Sequence, residues 1–184
     1  MELPNFKYSP NAFELDLFEK TEGICSICDE KRNLKYTSSF YCTGNPEYIC
    51  PWCIENGKAA EKYKGVFNDY FGIEGVIFNE DSPTMSETKI DKDLLLKITT
   101  MTPSYTSWQQ EVWLTHCEEP CAFIGYADKE TINPYLEELK DDIESNDGYG
   151  AEVIVTHLSK NGSLVGYLFQ CTKCGSHRLH VDCD

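Results

Sequence analysis

Cys25 and Cys28, followed after residues 29–49 by Cys50 and Cys53, form two Cys-x-x-Cys pairs. Two intervening residues let a tight turn aim both sulfurs at one point. A second pair brought back after roughly 15–20 residues completes a tetrahedron of thiolates, a geometry that zinc accepts readily. Buried free thiols would not recur at this spacing. Cys50-Pro51-Trp52-Cys53 by itself also fits a thiol–disulfide motif, since a helix N-terminus can lower a thiol pKa. The upstream pair favours the metal. Ile24 and Ile49 precede the two pairs and are expected to pack beneath it.

Cys171 and Cys174 make a third such pair and need two further ligands. Cys117 and Cys121 have three residues between them, within the range that zinc modules use. The expected second quartet is therefore Cys117, Cys121, Cys171 and Cys174, giving two zinc ions per chain. His116, His180 and Cys183 are the rival ligands. His177 and His180 read more simply as surface histidines, and Cys42 as a small buried hydrophobe. Four thiolates fill the coordination sphere of zinc, so both sites are expected to be structural rather than catalytic. A site built with His116 plus a water would be open instead.

The chain has 184 residues, with 31 acidic and 16 basic side chains and a formal net charge of −15. Each four-thiolate zinc adds roughly −2. That balance argues against nucleic acid as a partner and favours basic proteins, although an acidic surface accounts for solubility in the first instance. Ten cysteines clustered as pairs point to metal ligation in a reducing compartment rather than to a disulfide framework. Met1 to Phe6 lacks a basic region followed by an apolar run, and no stretch approaches the roughly 18 residues of a membrane span. A cytoplasmic protein without a signal peptide is the expectation.

The elements that must position these cysteines read as α+β: two zinc-ribbon-like modules with small antiparallel sheets and several packed helices. Residues 1–75 form the first module with its following helix, 76–90 a loop or linker, and 91–184 the second module. Leu34–Thr37 and Phe40–Cys42 read as short strands. Ala59, Ala60, Tyr63, Val66, Phe67, Tyr70 and Phe71 recur at helical spacing over 54–71. Asn79 to Thr84 is polar and turn-rich. Asp91 can cap a helix carrying Leu94, Leu95 and Ile98. Ser107 and Gln110 fit a capping box for a helix presenting Trp108, Val112 and Trp113, two tryptophans most simply read as core. Cys121–Tyr126 reads as a strand. Asn133-Pro134 opens a helix with Leu139 and Ile143 on its buried face, a solvated acidic face opposite, and a stop at Asn146–Gly148. Val153–His157 and Leu164–Phe169 read as strands joined by an Asn161-Gly162 hairpin turn. The second runs into the Cys171–Gly175 knuckle, where Gly175 lets the turn close.

Cys25-Ser26-Ile27-Cys28, Ile49 to Ala60, Thr102-Pro103 through Trp108-Gln109, Trp113 with His116-Cys117, Cys121 to Gly125 and Leu168 to Gly175 together resemble the CbrC family of bacterial proteins. The resemblance spans nearly the whole chain, and the Cys-Pro-Trp-Cys segment is its most specific part. It implies zinc-knuckle architecture and tolerance to a toxin in one member, with no reaction attached. The sequence offers no nucleophile elbow, phosphate-binding glycine loop or His-Glu-x-x-His. The expected function is a zinc-binding, non-enzymatic protein that binds another protein, in a stress-tolerance or immunity-like role against a basic toxin. The alternative is a zinc enzyme with one open metal position and a pocket near Trp108 and Trp113.

Overall fold

Leu164 to Gln170 is apolar at almost every position, which suits a strand buried on both faces. It forms the centre of a three-stranded antiparallel sheet, flanked by Ala122–Ala127 and His177–Cys183. Val165, Tyr167 and Phe169 point to one face and pack with Tyr8, Ile98, Tyr105, Trp113 and Phe123. Leu168 turns to the other and packs with Ile132, Leu139, Ile154, Leu179 and Val181. A third core, of Phe6, Phe18, Tyr36, Ile54 and Phe67, surrounds the first cysteine pairs. The computed structural model describes residues 2–79, 82–146 and 148–184.

The architecture is α+β, with six helices among the described residues and several small antiparallel sheets. The helices are α1 (Pro51–Glu55), α2 (Lys58–Tyr63), α3 (Lys92–Met101), α4 (Lys129–Ile132), α5 (Lys140–Ser145) and α6 (Ala151–His157). None is long and apolar enough to cross a membrane. Asp91 caps α3 by accepting from Asp93 N at 2.8 Å, and Leu95 and Ile98 are buried, as read from the sequence.

Several elements depart from the sequence reading. The helix expected over 54–71 is broken at Asn56-Gly57, where Gly57 takes φ +74°, and α-helix ends at Tyr63, with only a 3-10 turn at Tyr70–Gly72 beyond it. In the segment read as a loop or linker, Val76–Asn79 pairs with Ser82–Thr88; Glu80 and Asp81 of the expected turn lie outside the described residues. Residues 107–112 form no helix and no capping box. Val153–His157 lies in α6, not in a strand. Only Ile154 and, one turn on, Leu158 need deep burial, so tertiary packing overrides a β-branched run. Asn161-Gly162 consequently joins no hairpin of two strands.

The strand partner of Leu164–Gln170 is instead the C-terminal stretch, with Tyr167 opposite His180 and Gln170 opposite His177. The helix expected at Asn133 is divided into α4, a 3-10 turn at Asn133–Tyr135 and α5. Its apolar face is as expected, since Leu139 and Ile143 are buried. Its acidic face is not wholly solvated: Asp142 is buried and accepts from Arg178 Nε and Leu179 N. The expected stop includes Asp147, outside the described residues.

Candidate metal centres

The first centre is assembled by two local turns. Gly23–Ile24 pairs with Lys31–Arg32, and the intervening knuckle is closed by Cys25 N donating to Glu30 O and Asp29 N to Cys25 O. Gly23 is required for space, because a Cβ there would stand 2.4 Å from the Tyr48 ring. Cys50 is the N-cap of α1, Pro51 begins the helix, and Cys53 N donates back to Cys50 O at 3.1 Å. Proline suits that position because its missing N–H would have had no helical partner. Ser26 N donates to Tyr48 O at 2.8 Å and locks the two turns together. Ile49 is buried beneath the cysteines as expected, but Ile24 is turned outward and 61% exposed.

Cys25, Cys28, Cys50 and Cys53 place their sulfurs within 4.8 Å of one another. Cys25 and Cys53 are 3.9 Å apart. A tetrahedral metal holding each sulfur at about 2.3 Å would set them roughly 3.8 Å apart. The spacing and the donor chemistry both fit zinc. The four thiols also act on one another. The hydrogen bond from Cys50 holds the Cys25 thiol down to about 4, while burial and then the charge on Cys25 push Cys53 up to about 12. Four crowded thiols resist joint ionisation, and a bound dication reverses that resistance.

The second centre joins two distant segments. Thr115–His116 and Glu119–Pro120 form a hairpin whose turn residues, Cys117 and Glu118, have φ of +54° and +58°. Two successive positive φ values give the tight turn that matches strand twist. The other half is the Cys171–Gly175 knuckle, closed by Gly175 N donating to Cys171 O and Cys171 N to Ser176 O, with Gly175 at φ +80°. Here His116, Cys117, Cys171 and Cys174 come together, again with ligand atoms within 4.8 Å of one another. Cys117 and Cys174 sulfurs are 3.8 Å apart, and His116 Nδ1 lies 3.3 and 3.2 Å from them. Three thiolates and one imidazole are an established structural zinc set.

Cys121, expected in this quartet, is not a member of it. The tight hairpin brings Cys121 N onto Leu114 O at 2.9 Å, and the Cys121 side chain is fully buried in the apolar core. Burial pushes its thiol up to about 12. His116 takes the fourth place because the hairpin sets it beside Cys117 in the cluster. No glycine or asparagine marks the turn, so nothing in the sequence distinguished this hairpin from a zinc knuckle. Neither His177 nor His180 is a free surface histidine. His177 stacks on Tyr135 and lies 3.1 Å from Glu138 Oε2, and His180 stacks on Tyr167. Cys42 is half-buried, with its thiol 3.7 Å from Gly44 O.

Neighbouring groups brace the second centre. Ser176 hydroxyl and backbone N–H hold the Cys174 thiol down to about 6. Lys173 Nζ donates to Cys117 O at 3.0 Å. Arg178 donates to Thr115 O, to both oxygens of Asp142 and to Glu74, and Glu74 in turn accepts from Thr115 N at 2.8 Å. Buried Glu119 accepts from Lys7, Tyr8 and Thr172. Burial opposes its ionisation, but those hydrogen bonds prevail and hold its pKa near about 2. A cleft of about 390 Å³ beside His116 is lined by Glu138, Asp141, Asp142, His177 and Arg178; Arg178 pairs with Asp142, and His177 Nδ1 lies 3.1 Å from Glu138 Oε2. Trp113 lies buried with its Nε1 donating to Cys121 O at 2.9 Å, whereas Trp108 is exposed, so the two do not line a shared pocket.

Residues 3–183 match the model of UPF0167, described as an uncharacterised protein family. The chain belongs to that family. A UPF0167 protein of Pseudomonas aeruginosa is 32% identical over 187 residues, covering 99% of this chain and 97% of its own length. UPF0167 proteins of Mycobacterium bovis and Mycobacterium tuberculosis are each 29% identical over 186 residues, covering 98% of this chain and 93% of theirs. No solved structure matches. For this UPF0167 member the two donor clusters are compatible with metal binding, and the family description attaches no reaction to them.

Proposed function

We propose that this protein is a non-enzymatic zinc protein, in which two zinc ions hold the fold and the acidic surface binds another protein. The observation that carries the reading is that each cluster supplies four protein donors, so neither zinc keeps an open coordination position. A net charge of −15 favours a basic partner and supports an immunity-like role against a basic toxin. Thiolate ligands require reducing conditions, which supports a cytoplasmic location. The CbrC-like motifs and the UPF0167 match cover the same length of chain, which supports one family under two names. The zinc-enzyme reading rests on less, because the cleft beside His116 has Arg178 tied to Asp142 and His177 in contact with Glu138, and Trp108 and Trp113 share no pocket.

Metal analysis and X-ray absorption on the zinc-loaded protein test the reading. Two zinc ions per chain are expected, one with four sulfurs and one with three sulfurs and one imidazole. An additional water oxygen at either zinc would restore an open site and overturn the non-enzymatic assignment. Cross-linking in a native host tests the protein-binding part; recovery of no partner would count against it.

A further inference from the structure

A cleft of about 780 Å³ lies between the segments around residues 14–17, the loop 106–108 and the central sheet. Trp108, Tyr126, Tyr167 and Leu15 supply its aromatic and apolar walls. Trp108 is 55% exposed, yet its loop is firmly held. Asp182, only 2% exposed, accepts from both Trp108 N and Gln109 N at 3.2 Å through Oδ2. Its Oδ1 accepts from Tyr167 Oη at 2.7 Å. Gln109 Nε2 adds a bond to Cys183 O at 3.2 Å. A buried carboxylate thus fixes the backbone that carries an exposed indole, which forgoes the burial that a tryptophan ordinarily gains. An exposed indole on a fixed backbone offers a face for a ligand that stacks on it.

The charge around the platform selects the ligand. Glu14 and Asp16 line the cleft, and its one basic lining residue, Lys160, is already paired with Asp128 at 3.4 Å. Thr37, Ser38 and Thr106 add hydroxyls to the lining. Carboxylates, hydroxyls and an aromatic face together suit a guanidinium, which is flat, permanently charged and rich in donors.

We infer that this cleft docks a basic segment of a partner protein, with an arginine side chain stacked on Trp108 and countered by Glu14 and Asp16. The inference rests on the protein-binding reading above and names the face and the partner chemistry. Nothing in it involves either metal centre, whose ligands lie outside the cleft lining.

The test is an NMR titration of the zinc-loaded full-length protein with a blocked peptide carrying two arginines, read on the three indole N–H signals. A peptide with glutamates in place of the arginines serves as the control. The expected result is a shift of the Trp108 signal with the arginine peptide alone. Trp108→Ala, followed on backbone signals of the same cleft, is expected to weaken binding about fivefold. Glu14→Gln with Asp16→Asn is expected to weaken it and to flatten its salt dependence, with zinc content and melting temperature unchanged in both variants. Binding that ignores these substitutions, or no binding at all, overturns the site. Cross-linking in the native host separates the two readings. A partner captured equally by wild type and Trp108→Ala moves docking to another face and leaves protein binding intact, whereas capture of no partner overturns both.

Discussion

Replacing His116 by alanine and, separately, Cys121 by alanine sets the two possible fourth ligands of the second centre against each other. Structural zinc contributes about 10–16 kcal/mol of apparent binding free energy, so one ligand in four is worth about 2.5–4 kcal/mol, or about 10²–10³-fold in Kd. His116 Nδ1 stands 3.2 Å from Cys174 Sγ and 3.3 Å from Cys117 Sγ, so His116→Ala removes a donor and is expected to show that full loss. Cys121 is fully buried among apolar side chains. Its truncation removes a small group from the core and is expected to cost about 1–2 kcal/mol of stability while both zinc ions stay bound. Competition with a coloured zinc chelator measures the first effect and urea unfolding the second. Cobalt substitution adds an independent reading, since the ligand-field bands of three sulfurs with a nitrogen differ from those of four sulfurs. A Cys121→Ala protein that retains only one zinc, beside a His116→Ala protein that retains two, would refute the assignment.

Complete removal of zinc by a strong chelator is expected to abolish the cooperative melting transition, because the metal terms rival the whole stability of a domain of this size, about 5–15 kcal/mol; calorimetry before and after chelation checks this. Arg178→Met leaves Asp142, which is 11% exposed at its side chain, without its cation, and is expected to cost about 3 kcal/mol in urea unfolding. His180 is held below its ordinary value of 6.5 by burial, partly offset by the charges of Asp182 and Asp142. Its folded pKa is therefore lower than its unfolded one, so the unfolded chain binds more protons and stability falls as pH drops below about 6.5. The difference in urea midpoint between wild type and His180→Gln, taken at equal zinc occupancy, is expected to change in favour of the variant between pH 7 and pH 5.5.

The grouping of the first four cysteines was legible in the sequence because it is local, although Ile24 faces outward rather than beneath them. Each pair needs only a turn, and Pro51 announces the helix that presents Cys50 and Cys53. The second was half legible. Cys171-x-x-Cys174 with Gly175 carries its own turn signal, but the other half depends on a hairpin whose positive φ values fall on Cys117 and Glu118, residues that give no hint of them. Strand Leu164–Gln170 was readable from composition. Its partner His177–Cys183 was not, because three polar side chains there are useful only after folding. His177 meets Glu138, Arg178 meets Asp142, and Asp182 anchors the Trp108 loop. Residues 153–157 misled for the opposite reason: their local β preference is real and is overruled by the burial of Ile154 and Leu158.

The two centres close very different lengths of chain, and this imposes an order on synthesis. The first needs only residues 25–53, with 21 residues between its inner cysteines, and can take up its ion soon after that stretch leaves the ribosome. The second must bring Cys117 to Cys171 across the 53 residues 118–170. The extra closure entropy is only about 0.8 kcal/mol, so equilibrium scarcely separates the two loops. Timing does. Until Cys171 and Cys174 are made, His116 and Cys117 have no counterpart, so the second cluster can be completed only well after the first.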